Sequence, residues 1–444
     1  MTNTWNECAS PLLRERYWYQ IHRSGLPIYV FPKKLTSTYA LFATKYGSVD
    51  NDFRLEGDTA TVSVPDGIAH FLEHKLFDNE DGSDSFARFS EYGADANAYT
   101  SYNRTAYLFS CTEHFEESLT ELLRFVTHPY FTKESVEKEQ GIIAEEIRMY
   151  EDSPWSRCYR NLLEILYEKN PVRKNICGTE DSIRQITPKL LYDCYRVFYN
   201  LSNMVLVVCG DVTPEEVERI ADRELPETAS PVRIQRITPE EQSGVVRTRV
   251  SDRMQVAKPL FSIGIKDPVI PSSPKERLRR DAAMTLLNEI LFSRSGAFYN
   301  RLFEEGLLTP AFEVGYSGTE TFAFNNLSGE SDDPEVIWTR LLEYLEQVKR
   351  EGLPEEDFER CRRVLYADEI RAYDSTDEIA NRLLSFVFDD AEMFSYPTLL
   401  QEITKAELEE LLRGAFCEEL FAMSVMNPLE EGGQSGSNER EVSV

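Results

Sequence analysis

The first part of the chain carries short apolar and aromatic runs that are separated by turn-forming residues. Tyr17–His22 and Leu26–Pro32 flank the turn Arg23-Ser24-Gly25, and this arrangement predicts a β-hairpin. Tyr39–Tyr46 is a third strand candidate, and the apolar run Met204–Cys209 predicts a buried strand. These runs indicate that a β-sheet forms early in the chain.

Helical patterns lie between these strand candidates. The interruption Val64-Pro65-Asp66-Gly67 is followed by a predicted helix from about Ile68 to Phe77, with Asp66 as the expected N-cap. Three further segments predict helices: the amphipathic Phe115–Val126, the longer Glu134–Tyr150, and Trp155–Tyr167.

Two features of the first half recur in the second half. Ala96–Cys111 predicts two strands around a polar turn, and Phe312–Ser328 has the same pattern. The string Glu146-Ile-Arg-Met-Tyr150 returns as Glu369-Ile-Arg-Ala-Tyr373, which together with the element order predicts an internal duplication. Since neither half alternates strand and helix steadily, the predicted fold class is α+β, with two homologous α+β domains, each a mostly antiparallel sheet packed with helices.

The composition changes twice along the chain. Pro226–Gln242 is rich in Pro, Glu, Ser and Thr and poor in large apolar residues, which is typical of a linker. We therefore predict a first domain over residues 1–228, a linker over 229–245 and a second domain over 246–428. The last residues, 429–444, are rich in Gly, Ser and Glu and predict a disordered tail.

The bulk composition excludes several classes of function. The formal net charge of −29 disfavours nucleic-acid binding, and no apolar run is long enough to cross a membrane. The eight cysteines form no C-x-x-C pair, and the first twenty residues do not resemble a signal peptide, so we expect a cytoplasmic protein with reduced thiols.

Candidate chemistry is concentrated in the run Gly67-Ile-Ala-His-Phe-Leu-Glu-His-Lys75. His70 and His74 are one helical turn apart, so both imidazoles leave the same face and can bind one ion. Zinc favours nitrogen donors, and a catalytic zinc site has three protein ligands plus water. Glu73 lies beside the pair and is the candidate general base for that water.

The third ligand should be a carboxylate or histidine from another element. Candidates crowd in residues 136–147. Glu139 and Glu146 share one helix face because they are seven residues apart, whereas Glu145 points about 100° away from Glu146. Helical geometry alone does not choose among them.

The run His70-Phe-Leu-Glu-His74, followed by Glu139 and Glu146, resembles the pitrilysin-like zinc metallopeptidases, whose signature is the inverted motif H-x-x-E-H. The family's downstream E-x6-E pair implies that Glu146 is the third zinc ligand and that Glu139 is an orienting carboxylate of the catalytic apparatus. One zinc ion per chain is implied. The resemblance covers roughly residues 15–425 and is strongest to the short two-domain branch, specifically the cytoplasmic firmicute subfamily with the run H-F-L-E-H-K-L-F.

The resemblance also implies where substrate binds. Ala96-Asn97-Ala98-Tyr99-Thr100 looks like the family's N-A-x-T strand, along which a peptide adds as a further β-strand. Asn97, Ala98 and Thr100 are therefore the expected substrate-binding residues.

One departure from the family pattern concerns the second half. Complete enzymes carry L-R-x-x-x-G-L-x-Y there, whereas this chain has Leu302-Phe-Glu-Glu-Gly306-Leu-Leu-Thr309. Phe303 stands where Arg is expected, no Tyr follows at the right distance, and Arg301 and Tyr316 are wrongly spaced. In the two-domain branch two subunits face each other as clamshell halves, so a related partner subunit is expected to supply Arg and Tyr, with a homodimer as the alternative.

Three functions remain open from the sequence. The leading one is a zinc endopeptidase, and it is favoured over a structural or assembly subunit because the metal motif is intact. A zinc hydrolase acting on another substrate class is disfavoured by the N-A-x-T strand.

Overall fold

The computed structural model describes residues 4–227 and 230–430, so most of the predicted tail lies outside the described residues. The chain forms two compact units, each built from three segments. Within the described residues, the first unit comprises 4–147, 175–227, 230–237 and 369–394, and the second comprises 148–174, 238–368 and 395–430.

The described residues contain fifteen α-helices. They are α1 (Ile68–Lys75), α2 (Ser85–Glu91), α3 (Phe115–Thr127), α4 (Lys133–Asp152), α5 (Pro154–Leu166), α6 (Glu180–Ile183), α7 (Pro188–Phe198), α8 (Pro214–Glu224), α9 (Pro274–Phe292), α10 (Ala297–Glu304), α11 (Pro334–Glu351), α12 (Glu355–Arg371), α13 (Thr376–Phe388), α14 (Tyr396–Glu402) and α15 (Lys405–Ala415). None of the helices in the described part of the chain is both long and apolar enough for a membrane crossing.

The first unit is built on a seven-stranded sheet. Its strands are β1 (Asn6–Ser10), β2 (Glu15–Ile21), β3 (Pro27–Pro32), β4 (Thr38–Thr44), β7 (Asp95–Thr100), β8 (Thr105–Cys111) and β9 (Met204–Gly210). The order is β1-β2-β3-β9-β4-β8-β7, and every neighbouring pair is antiparallel except β3 and β9. A small second sheet holds β5 (Asp52–Leu55), β6 (Val62–Ser63) and β10 (Ile234–Arg236).

The second unit is built on a five-stranded sheet with the order β11-β15-β12-β14-β13. Its strands are β11 (Arg249–Met254), β12 (Leu260–Lys266), β13 (Glu313–Gly318), β14 (Ala323–Glu330) and β15 (Phe421–Pro428). This order and its directions repeat those of β3-β9-β4-β8-β7, including a single parallel pair. The repeated topology agrees with the predicted duplication, and the mostly antiparallel sheets packed with helices confirm the α+β class.

Each unit includes a helix from the other half of the sequence. In the second unit, Cys158 of α5 packs in a buried cluster with Leu260 and Met426 from the sheet. In the first unit, α13 packs on β4 and β9, and Lys45 Nζ donates to the Phe388 carbonyl at 2.8 Å. The compact units therefore differ from the predicted domains 1–228 and 246–428, because long-range packing of α5 and α13 leaves no mark in local composition.

The predicted linker is partly ordered by pairing. Residue 229 lies outside the described residues, but Ile234–Arg236 forms β10 against β5. In the second unit, the Glu241 carboxylate accepts hydrogen bonds from the backbone N–H groups of Glu168, Lys169 and Asn170 at 3.0, 2.7 and 2.8 Å. These hydrogen bonds join backbone N–H groups to one carboxylate. The apolar content of a segment therefore does not predict them.

Candidate metal centre

Helix α1 begins at a tight backbone contact. The N-cap is Gly67, with φ 89°, and not the predicted Asp66, whose carboxylate accepts instead from Asn51 Nδ2 at 2.5 Å. A Cβ on Gly67 would lie 2.4 Å from the Cys177 carbonyl oxygen, so this position requires glycine for space as well as for its positive φ. The prediction that Asp66 caps the helix is therefore wrong.

The apolar stripe of α1 anchors the candidate ligands. Ile68, Phe71 and Leu72 are completely buried in the core of the first unit, as the helical pattern predicts. His70 and Glu73 are also largely buried, at 7% and 9% exposure. The polar face is therefore an internal surface, which fits a site and not a solvated helix face.

Helix α4 brings Glu146 against both histidines. His70 Nε2 lies 3.5 Å from Glu146 Oε1, and His74 Nε2 lies 3.4 Å from Glu146 Oε2. The two imidazole rings are 4.6 Å apart between centroids. Glu145, the alternative one residue earlier, is exposed. The structure thus brings together His70, His74 and Glu146.

Glu139 holds the other side of the His74 ring. Its Oε1 lies 3.0 Å from His74 Nδ1, and its Oε2 lies 3.9 Å from Nζ of Lys75, which is completely buried. A carboxylate on one ring nitrogen fixes the tautomer and leaves the other nitrogen free to bind a metal. The sequence does not predict that Lys75 is buried beside Glu139, because lysine side chains are usually solvated.

The carboxylates set the charge of the site. Burial lowers the pKa of His74, but hydrogen bonds to Glu139 and Glu146 outweigh it and raise this pKa to about 10. Hydrogen bonds with His70 and His74 hold the pKa of Glu146 well below its usual value, despite burial. The pocket therefore holds an ionised carboxylate against the His74 ring, and a bound divalent cation would displace the extra proton of that ring.

The Glu73 carboxylate is held by a threonine. Thr100 Oγ1 on strand β7 donates a hydrogen bond to Glu73 Oε2 on helix α1 at 2.6 Å. The hydroxyl of Thr100, an expected substrate-binding residue, is therefore engaged with the candidate base. The sequence spacing did not indicate this contact.

Strand β7 lies at one end of the seven-stranded sheet. Asn97 is exposed on it, and its side-chain oxygen accepts from the backbone N–H of Ala98 at 2.8 Å. Among the described residues β7 pairs only with β8, so its other edge offers backbone groups to a further strand.

Cys177 is a neighbour that sequence reasoning missed. Its Sγ lies 3.8 Å from His70 Nε2, and donor atoms of His70, Glu146 and Cys177 all lie within 4.8 Å of one another. Burial raises the pKa of the Cys177 thiol. The residue is 107 positions from His70 and belongs to no cysteine motif, so no pattern could have found it.

In the second unit, the hydroxyl of the wrongly spaced Tyr316 is already engaged. Tyr316 Oη donates to Asp267 Oδ2 at 2.9 Å, and Asp267 is also paired with Arg280. Phe303 is 46% exposed on α10, and its ring stacks on Tyr299 with centroids 5.5 Å apart.

Two donor separations in the first unit are close to those around a tetrahedral zinc ion, and they reach different oxygens of Glu146. With zinc–nitrogen and zinc–oxygen bonds of about 2.0–2.1 Å, two such donors on one ion lie about 3.3 Å apart. The observed separations are 3.5 Å for His70–Glu146 and 3.4 Å for His74–Glu146. Two imidazoles and a carboxylate also match the donor types of catalytic zinc sites.

Comparison with known proteins identifies the family of the chain. The family model described as Insulinase (Peptidase family M16) matches residues 63–180, and the one described as Peptidase M16 inactive domain matches residues 185–365. The uncharacterized zinc protease YmfH of Bacillus subtilis is 40% identical over 405 residues, which cover 90% of this chain and 94% of that protein. The mitochondrial-processing peptidase subunit beta of Neurospora crassa is 28% identical over 180 residues, 39% of this chain and 38% of that protein.

A crystal structure of an M16-like peptidase from Alicyclobacillus acidocaldarius superposes with a TM-score of 0.88 and 33% identity, covering 97% of this chain and 99% of that one. The candidate metal-site residues, and Cys177, fall within the match to residues 63–180, and residues 185–365 contain no H-x-x-E-H run. The length of these matches and the identity to the Bacillus relative show that this chain belongs to the M16 family of zinc peptidases.

Proposed function

We propose that this chain is a zinc-dependent endopeptidase that holds one zinc ion between His70, His74 and Glu146. The observation that carries the proposal is the convergence of these three side chains, whose donor atoms are 3.4–3.5 Å apart across Glu146. Zinc, when bound, supplies a Lewis acid that polarises a peptide carbonyl and makes water more acidic.

Glu73 is the general base of this proposal. Its carboxylate takes a proton from the attacking water and passes it to the leaving nitrogen. The hydrogen bond from Thr100 to Oε2 orients the carboxylate and leaves Oε1 for this proton. Glu139 keeps the His74 ring in place through Nδ1.

The peptide binds as an added strand along β7. The edge of β7 that has no strand partner among the described residues offers backbone donors and acceptors at Asn97 and Ala98, and strand addition needs no particular side chain. Because Thr100 at the end of this strand contacts Glu73, an added strand would run directly past the base.

A related partner subunit completes the site in our proposal. Counted from Leu302, the family's arginine position falls on Phe303; counted back from Gly306, it falls on Leu302, and the tyrosine position falls on Thr309. Neither register supplies a guanidinium or a phenol, and the Tyr316 hydroxyl is bound to Asp267. The mitochondrial relative bears the name of a subunit, which supports an assembly.

A reducing, cytoplasmic location is part of the same proposal. All eight cysteines are free, although several are buried in the core. Free thiols in a protein of this length are typical of a reducing compartment.

Zinc analysis with a peptide digest tests the proposal. Purified chain, with and without the related subunit, is assayed for bound zinc and for cleavage of a peptide library. Glu73→Gln should keep zinc and abolish cleavage, whereas Glu80→Gln, an exposed carboxylate just beyond α1, should change neither. Zinc binding without cleavage in any assembly would favour the structural-subunit alternative.

A further inference from the structure

The thiol of Cys177 points to the metal-binding side of His70. Cys177 is 4% exposed, and its Sγ faces Nε2 of His70, the same nitrogen that faces Glu146. The set His70, Glu146 and Cys177 is itself a compact group of three potential metal donors. His74 lies outside this compact group of three and contacts Glu146 through its other carboxylate oxygen, Oε2, at 3.4 Å.

The backbone holds this thiol in position. The Cys177 N–H donates to Asn175 Oδ1 at 3.0 Å, and the Gly178 N–H donates to the Asn175 carbonyl at 2.9 Å. The Cys177 carbonyl packs on Gly67, where no Cβ could fit. The sulfur is therefore fixed relative to the first turn of α1, which carries His70.

The separation suits coordination of one ion. With a zinc–sulfur bond of about 2.3 Å, a tetrahedral ion places sulfur and nitrogen donors about 3.6 Å apart. The observed His70 Nε2 to Cys177 Sγ separation is 3.8 Å. The charges also agree, because Glu146 and a thiolate together neutralise the ion's two positive charges in a buried pocket.

We propose that Cys177 is a fourth zinc donor, which closes the site of the proposed peptidase in its resting state. The inference rests on the proposed zinc site of His70, His74 and Glu146. Binding of the sulfur releases the thiol proton to solvent, and the sulfur takes the position that a catalytic site leaves to water. Peptide hydrolysis then requires the sulfur to leave the ion.

Cobalt substitution tests this proposal on the full chain. Co²⁺ is loaded in place of zinc, and the near-ultraviolet region is examined for a thiolate-to-cobalt charge-transfer band. The wild type and Cys111→Ala, a control at another buried cysteine of the same unit, should show the band, and Cys177→Ala should lose it. A band that persists in Cys177→Ala, or that is absent from the wild type, would overturn the proposal.

X-ray absorption of the wild-type zinc protein gives a measurement that needs no variant. One sulfur scatterer at about 2.3 Å supports the proposal, and a shell of only nitrogen and oxygen contradicts it. Metal content separates this inference from the proposed function. A chain that binds no zinc refutes both, whereas one zinc with no sulfur refutes only the role of Cys177.

Discussion

His74 joins two glutamates of the same helix, with Nδ1 3.0 Å from Glu139 Oε1 and Nε2 3.4 Å from Glu146 Oε2. The seven-residue spacing puts both carboxylates on one face of α4, and the ring lies between them. One imidazole therefore has a fixed orientation before any ion binds.

Replacing Glu139 should weaken zinc binding without abolishing it. Glu139→Gln keeps the side-chain shape but removes the charge beside His74, so we expect an affinity loss of about 10–100-fold. Competition with a chelator measures the dissociation constant. Glu137→Gln, an exposed glutamate of the same helix, is the control, and equal affinities in the two variants would contradict the orienting role.

Adjacent glutamates should behave very differently. Glu146→Gln removes a proposed ligand, so zinc content after dialysis should fall close to zero. Glu145→Gln changes an exposed neighbour and should leave the content near one ion per chain. If zinc loss followed Glu145 instead, the helix register proposed for the site would be wrong by one residue.

Thr100 should affect turnover but not metal content. Thr100→Val removes the hydroxyl that donates to Glu73 at 2.6 Å. A hydrogen bond to a charged group contributes about 1.5–3 kcal/mol, so kcat/KM should fall about 10–100-fold. Thr100→Ser keeps the donor and should retain most activity. Loss of activity in Thr100→Ser with activity retained in Thr100→Val would indicate that the methyl group, and not the hydroxyl, is what matters.

Substitutions at Gly67 and Gly25 should distinguish the effect of backbone strain from the effect of close packing. Both have φ of 89°, but a Cβ meets nothing within 4 Å at Gly25 and meets the Cys177 carbonyl at 2.4 Å at Gly67. Gly25→Ala should lower the free energy of unfolding by about 1–2 kcal/mol, the cost of a left-handed backbone. Gly67→Ala should lower it further and also weaken zinc binding. Chemical denaturation and zinc titration measure both, and equal effects would exclude the close contact.

The isolated chain should cleave peptides poorly. Adding a related subunit that carries the missing arginine and tyrosine should raise kcat/KM by about 100-fold, the scale on which a displacement of about 1 Å reduces catalysis. The rate is measured as partner is titrated into a fixed amount of chain. Robust cleavage by the chain alone, unchanged by partner, would rule out the shared site.

Local patterns predicted the elements that carry the site. Alternating and helical periodicities located β7, β8, α1 and α4 to within a few residues, because each depends on neighbours in sequence. The spacing of His70 and His74 also follows from one helical turn. Resemblance to a family, and not geometry, selected Glu146 over Glu145.

Contacts between distant segments were not predictable in this way. Cys177 meets His70 only because Gly178 and Gly67 let two backbones approach, and no periodicity encodes that approach. The Thr100–Glu73 hydrogen bond likewise depends on how a strand edge packs beside α1. The assignment of α5 and α13 to opposite units is a property of tertiary packing alone.

The placement of α13 has a consequence for synthesis on the ribosome. The proposed zinc donors are all translated by residue 177, yet the sheet beneath them receives α13 only when Thr376–Phe388 has emerged. Domains otherwise fold as units from the N-terminus. The apolar face of β4 and β9 that α13 covers therefore stays uncovered until nearly the whole chain has been translated. Nascent chains stalled before residue 376 should therefore be clients of chaperones, and the peptidase unit should become protease-resistant only near the end of translation.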